Sequence, residues 1–148
     1  MQKEIREKIS QYCNLLHQWN DSYETYAKSV GLSYTSLSVL EALYEKKGCT
    51  QKELAENCLL PKQTVNAVIT SFLKKEWVKL EELPEDRRIK IVHFTEAGKQ
   101  TAKEFVSRIR ESEQEAMEKL SKEQRESLLA LTKTYIESCM TAMKKNEL

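Results

Sequence analysis

Glycine occurs only three times and proline only twice in these 148 residues. Gly31, Gly48 and Gly98 stand far apart, so there is no glycine-rich loop to cradle a phosphate, and no nucleophile elbow or metal-hydrolase motif is present. An enzyme therefore has little to rest on, and no cofactor is expected. No apolar run approaches the roughly 20 residues of a membrane span. The opening Met1-Gln2-Lys3-Glu4-Ile5-Arg6-Glu7 is charged and lacks the apolar centre of a signal peptide, so a cytoplasmic protein is expected. The four cysteines, Cys13, Cys49, Cys58 and Cys139, include no C-x-x-C pair, which argues against a disulfide framework. His17 and His93 are the only histidines, too few to suggest a metal site. The formal charge is only +1, so any affinity for a polyanion must come from how charge is distributed.

What is present is helical periodicity. Leu, Glu, Lys and Ala are abundant, and the length suits one domain, 1–148, with a core of its own. Ile5, Ile9, Tyr12, Leu16, Trp19, Tyr23, Tyr26 and Val30 step by four and three, the seam of a long helix over 1–30. Gly31 interrupts it, and Ser33 can cap a second helix that turns Leu37, Leu40, Leu43 and Tyr44 inward and ends at Lys46-Lys47-Gly48. Thr50-Gln51-Lys52-Glu53 has capping-box spacing and opens a short helix burying Leu54, Ala55 and Cys58. Leu59-Leu60 form a turn, and Pro61 suits the first position of a helix over 61–75 with Val65, Val68, Ile69, Phe72 and Leu73 inside.

From Trp77 to Phe94 the period falls towards two. Strands are expected at 78–81 and 89–94, joined across the tip Pro84-Glu85-Asp86-Arg87-Arg88. Thr95 can cap a long helix carrying Ala102, Phe105, Val106, Ile109, Ala116, Met117 and Leu120. Ser121-Lys122-Glu123-Gln124 repeats the capping-box pattern before a last helix with Leu128, Leu131, Thr132, Tyr135, Cys139 and Met143 on one side. The expected fold is mainly α with a small β wing: a winged helix-turn-helix over 33–98, flanked by long helices over 1–30 and 99–148. The apolar stripes of those helices exceed what a small head can cover, so they are expected to pair with each other and with a second copy of the chain.

One local absence points to function. No Asp or Glu occurs between Glu56 and Glu76, in a chain with 23 acidic residues. A helix facing DNA must shed negative charge, and a loop reaching along a duplex needs guanidinium groups. The 61–75 helix meets the first condition and the Arg87-Arg88 tip the second. On the helix, Gln63, Asn66 and Thr70 fall on one side, opposite Val65, Ile69 and Phe72. Gln63 and Asn66 are the base-reading candidates, because Gln and Asn can bond adenine bidentately. Lys62 and Thr64 suit phosphates at the helix start, and Lys74 extends the same outer surface. Thr50, which opens the preceding helix, is counted with them, as are Arg87 and Lys90 for phosphate contacts. The bland reading of such residues is a solvated polar surface.

Leu73-Lys74-Lys75-Glu76-Trp77-Val78, Glu85-Asp86-Arg87-Arg88 and Val92-His93-Phe94-Thr95-Glu96-Ala97-Gly98 together resemble the wing signature of the MarR family of bacterial transcriptional regulators. The likeness extends over nearly the full length. It departs at Glu76, where many members carry Gly. The resemblance implies a homodimer that places the 61–75 helix in the major groove of double-stranded DNA and the 78–94 wing at the minor groove. It implies repression, or occasionally activation, relieved by a small ligand or by oxidation. Arg88 matches the family's wing arginine, with Asp86 anchoring Arg88 or the loop backbone. A small aromatic effector would sit in a crevice lined by His17, Trp19, Tyr23, Tyr26 and Tyr44, although aromatics at this spacing are more often core. Cys13 lies about one turn beyond the position of the family's peroxide-sensing cysteine. Packing is the favoured reading for it, and a thiol-based redox regulator is the alternative. Outside the class, the rival is a helical protein–protein adaptor, which explains the apolar seams but not the acid-free helix or the arginine tip. Two-fold symmetry implies a palindrome-like operator with half-sites about 34 Å apart or a multiple.

Overall fold

A computed structural model describes residues 1–146 of the chain. It contains α1 (Gln2–Ser29), α2 (Tyr34–Lys46), β1 (Cys49–Thr50), α3 (Gln51–Cys58), α4 (Lys62–Lys74), β2 (Val78–Glu82), β3 (Lys90–Phe94), α5 (Glu96–Glu118) and α6 (Lys122–Lys145). The strands form one antiparallel sheet in the order β1-β3-β2. This is the winged helix-turn-helix expected from the periodicity. The chain divides into two compact units, Met1–Val106 and the residues from Ser107 onward.

The first unit holds the core. Leu37, Val39, Leu40 and Leu43 of α2, Leu54 of α3, Val65, Ile69 and Phe72 of α4, Val92 of β3 and Val106 of α5 are almost wholly buried. Each such side chain contributes roughly 1.5–3 kcal/mol through burial. Side-chain caps set the helix starts. Ser33 Oγ accepts from the Ser36 amide, and Thr50 Oγ1 accepts from the Glu53 amide while the Glu53 carboxylate accepts from the Thr50 amide at 2.8 Å. Thr95 does more than cap α5. Its Oγ1 accepts from the Gly98 amide at 3.0 Å and donates to the Glu76 carbonyl at 2.7 Å, and its own amide donates to the Trp77 carbonyl. One residue thus ties the end of β3 to the α4–β2 connection.

Several boundaries differ from expectation. Pro61 is the N-cap of α4 in extended backbone, not its first helical residue, because its ψ of 144° stays outside the helical region. That helix ends at Lys74, and β3 begins at Lys90, since the Ile89 amide is taken by the Asp86 carbonyl of the tip. Lys47 is the left-handed C-cap of α2, and Gly48 after it also has a positive φ, of 117°. Strand β1 was not anticipated: it is two residues long and exists by pairing Cys49 with Val92 and Thr50 with Ile91. Cys58 is half-buried, its thiol against the Ser38 carbonyl at 3.7 Å. On α1 only Ala27 is fully buried, and Ile5, Ile9 and Trp19 stay exposed.

The second unit comprises the end of α5, a short turn at Lys119-Leu120, and α6. Ser121 makes the expected capping box with Gln124, and Arg125 Nε donates to the Met117 carbonyl at 2.8 Å. Nothing on α6 is buried. Leu128, Leu129, Leu131, Tyr135, Ile136, Met140 and Met143 are all exposed, on a broad apolar face.

Candidate nucleic-acid interface

The sequence that makes α4 amphipathic also makes its outer face uniform in chemistry. Val65, Val68, Ile69 and Phe72 anchor one side in the core. At helical pitch the opposite side must then carry Gln63, Asn66, Ala67, Thr70 and Lys74, and all five are exposed. Lys62 is exposed in the first turn, and Thr64 is half-buried. Ala67 was missed in reading the sequence, since alanine announces nothing. In the centre of this face its small size lets another surface come close, and its methyl group suits a thymine methyl.

The start of α4 differs from the starts of its neighbours. Serine or threonine caps α2, α3 and α6, but α4 follows Pro61, which offers no side-chain acceptor. The first amides of a helix lack partners within it, so those of α4 stay available to an anion beside Lys62. Thr50 is placed differently: its hydroxyl is engaged with Glu53 as donor and acceptor, which makes it the cap that fixes α3. At the start of α3, Gln51 Oε1 accepts from Asn66 Nδ2 at 3.1 Å, linking the two helices across their outer surface.

The wing tip is organised by Asp86. Its Oδ1 accepts from the Arg88 amide at 3.0 Å and from Arg88 Nε at 3.1 Å, and its Oδ2 accepts from Nη2 at 3.2 Å. This fork-to-fork pairing holds the guanidinium while leaving 91% of the Arg88 side chain open to solvent. The Arg88 hydrogen bonds hold the Asp86 carboxyl below its ordinary value of 3.8. Arg87 is exposed beside it, and Lys90 is exposed opposite Glu82 in the ladder. Lower on the wing, His93 Nε2 lies 2.9 Å from Glu81 Oε2. At its base, Lys75 Nζ sits 4.6 Å over the Trp77 ring, a cation the sequence reading did not single out.

The aromatic residues of α1 are engaged in different ways. Trp19 packs edge-on against Tyr23 at 5.6 Å, and Tyr23 meets Tyr34 of α2 at 6.0 Å. Tyr34 was absent from the sequence reading. Tyr26 donates its hydroxyl to the Phe105 carbonyl at 2.9 Å, a structural engagement. His17 is exposed and two residues from Trp19, a spacing that points the two side chains to different sides of the helix. Tyr44 is half-buried on α2. Cys13 is half-buried and unpaired by any disulfide. Burial, with the Glu53 carboxylate nearby, pushes the Cys49 thiol up to about 11, and burial also raises Cys58, so neither is a ready thiolate. Among the described residues, no group of three metal-ligating side chains is gathered, and no helix is long and apolar enough to cross a membrane.

Residues 30–89 match the sequence model of the MarR family. The fold is similar to that of NMB1585, a MarR family regulator from Neisseria meningitidis, at 22% identity and a TM-score of 0.77, covering 95% of this chain and 99% of that one. It is also similar to MepR of S. aureus in a complex with DNA, at 22% identity and a TM-score of 0.73, covering 86% and 97%. A probable transcriptional regulator from Pseudomonas aeruginosa matches at 25% identity and a TM-score of 0.63, covering 82% and 93%. Comparison with curated proteins gives no match.

Proposed function

We propose that this chain, whose residues 30–89 match the MarR family model and whose winged helix-turn-helix fold is similar to that of MarR family regulators, is a homodimeric repressor that binds a specific double-stranded DNA operator in the cytoplasm and is not an enzyme. Residues 33–98 form the reading head, and segments 1–30 and 99–148, of which residues 147–148 lie outside the described structure, form the dimerisation region. In each subunit α4 enters the major groove. Gln63 and Asn66 read base edges, Ala67 and Thr70 make close contact, and Lys62, Thr64 and Lys74 meet phosphates with the uncapped start of the helix. Arg88 reaches the minor groove, held in position by Asp86, while Arg87 and Lys90 take phosphates. Thr50 acts indirectly, by fixing the start of α3.

The observation that carries this reading is the exposed face of α4. It has amides, a hydroxyl and an ammonium group and no carboxylate, and the wing of the same head carries a guanidinium that is clasped by Asp86 yet open to solvent. A solvated surface helix in a chain with 23 acidic residues has no reason to exclude Asp and Glu over its whole length. That the similar MepR fold was solved with DNA supports the same reading. The broad apolar face of α6 supports dimerisation, since a monomer would leave it in water.

Selection of bound duplexes from a random pool tests the proposal and yields the operator. A palindrome-like site is expected, with binding that weakens steeply as salt rises. Recovery of no duplex, or affinity indifferent to salt, would overturn it in favour of the adaptor. A second reading concerns relief of repression: the Trp19–Tyr23–Tyr34 series, with Tyr34 and Trp19 both exposed, favours a flat aromatic effector over oxidation at Cys13. Tryptophan fluorescence should then respond to such a ligand, and operator binding should survive peroxide.

A further inference from the structure

On the DNA-reading role of α4 rests one more step. We propose that Gln51, from α3, is a positioning residue for base recognition: it orients the Asn66 amide so that Asn66 reads adenine.

Asn66 is an exposed residue in the middle of α4, and a free asparagine amide there can present its donor and acceptor ends in either order. Adenine in the major groove demands one order, a donor towards N7 and an acceptor for the N6 hydrogens. Gln51 Oε1 accepts one Nδ2 hydrogen of Asn66 at 3.1 Å. When Gln51 takes the Nδ2 hydrogen on the Cβ side, the second Nδ2 hydrogen and Oδ1 of Asn66 are left side by side and of opposite character. This pair is the complement of adenine's major-groove edge. The bond spans 15 positions of sequence, so it joins separate helices and does not arise from local helix geometry. Gln51 itself is placed by the Thr50–Glu53 capping box, which fixes the first turn of α3. The entropy of ordering the Asn66 side chain is therefore met before DNA arrives, the usual gain from preorganisation.

The test uses full-length protein and the selected operator, with duplexes altered at one base pair at a time. In Gln51→Ala, preference for adenine at the position read by Asn66 should fall at least fivefold, the lower end of what one bidentate contact discriminates. Affinity for duplexes already altered there should not change. Asn66→Ala should lose the same preference, and adding Gln51→Ala to it should cost nothing more. Gln51→Glu keeps an acceptor for Asn66 and should restore the preference while lowering affinity for every duplex alike, through its charge. Equal weakening by Gln51→Ala on all duplexes would mean a phosphate contact and overturn the proposal, as would additive effects in the double variant. The side-chain amide resonances of Asn66 in free protein separate this idea from the reading it rests on. They should shift in Gln51→Ala whether or not an operator is found. An unshifted pair refutes the positioning role alone, whereas failure to select any duplex refutes the DNA-reading role and this proposal with it.

Discussion

Gly98 shows how closely the wing is fastened to the head. A Cβ there would lie 1.8 Å from the Trp77 carbonyl oxygen, inside any allowed contact, and that carbonyl also accepts from the Thr95 amide. Gly98→Ala should therefore lower stability by about 1–3 kcal/mol or more, as overpacking against rigid backbone does; a urea titration reads it directly. Cys49 gives a pH-dependent counterpart. Its folded-state value of about 11 exceeds the ordinary 9.0, so the folded form holds its proton more tightly than the unfolded form. Stability should be unaffected by this thiol below pH 9 and fall as pH rises towards 11. A Cys49→Ser comparison across that window isolates its share, and native Cys49 should resist alkylation near pH 8.

The wing and the two short helices differ in how far they could be read in advance. The capping boxes at Thr50 and Ser121 were legible because all their partners lie within four residues. So was the inward side of α4, set by helical spacing of Val65, Val68, Ile69 and Phe72. Strand β1 was not, since its two residues become a strand only through β3, more than 40 positions away. The left-handed backbone of Lys47 and Leu59 was equally hidden, because these side chains do not favour that conformation and tertiary packing imposes it, whereas Glu76, also at positive φ, stands where the family resemblance marks Gly. Gln51 escaped notice as a functional residue for the same reason: its link to Asn66 needs both helices in place. At this scale the expected outcome concerns the tip. Arg88→Ala should weaken operator binding at least about tenfold, the scale of one bidentate groove contact, without loss of dimerisation. Gel-shift titration alongside sedimentation checks both. Because Asp86 is held below 3.8, the clasp is complete above that value and loosens only as pH falls through the depressed one.

For the whole molecule, helix type and order followed from periodicity, whereas the partner of the terminal helices did not, because one chain carries only half of an association. The exposed Leu128, Leu131, Tyr135 and Met143 of α6 call for a second surface. If that surface is another copy, folding and assembly are linked, and the thermal midpoint should climb with protein concentration. A midpoint unchanged over a hundredfold dilution would indicate a monomer that tolerates this face in water. Leu131→Glu should shift the population towards monomer and weaken binding to a two-half-site operator far more than to a single half-site.

The Asp86–Arg88 clasp has a kinetic consequence. From a distance the two opposite charges nearly cancel, so the tip adds little to the attraction that draws a duplex in from solution. Its guanidinium acts only once the groove is within reach, where it slows escape. Removing both residues together should therefore leave the encounter rate almost as it was and shorten the lifetime of the complex, whereas removing Lys62 or Lys74 should slow arrival.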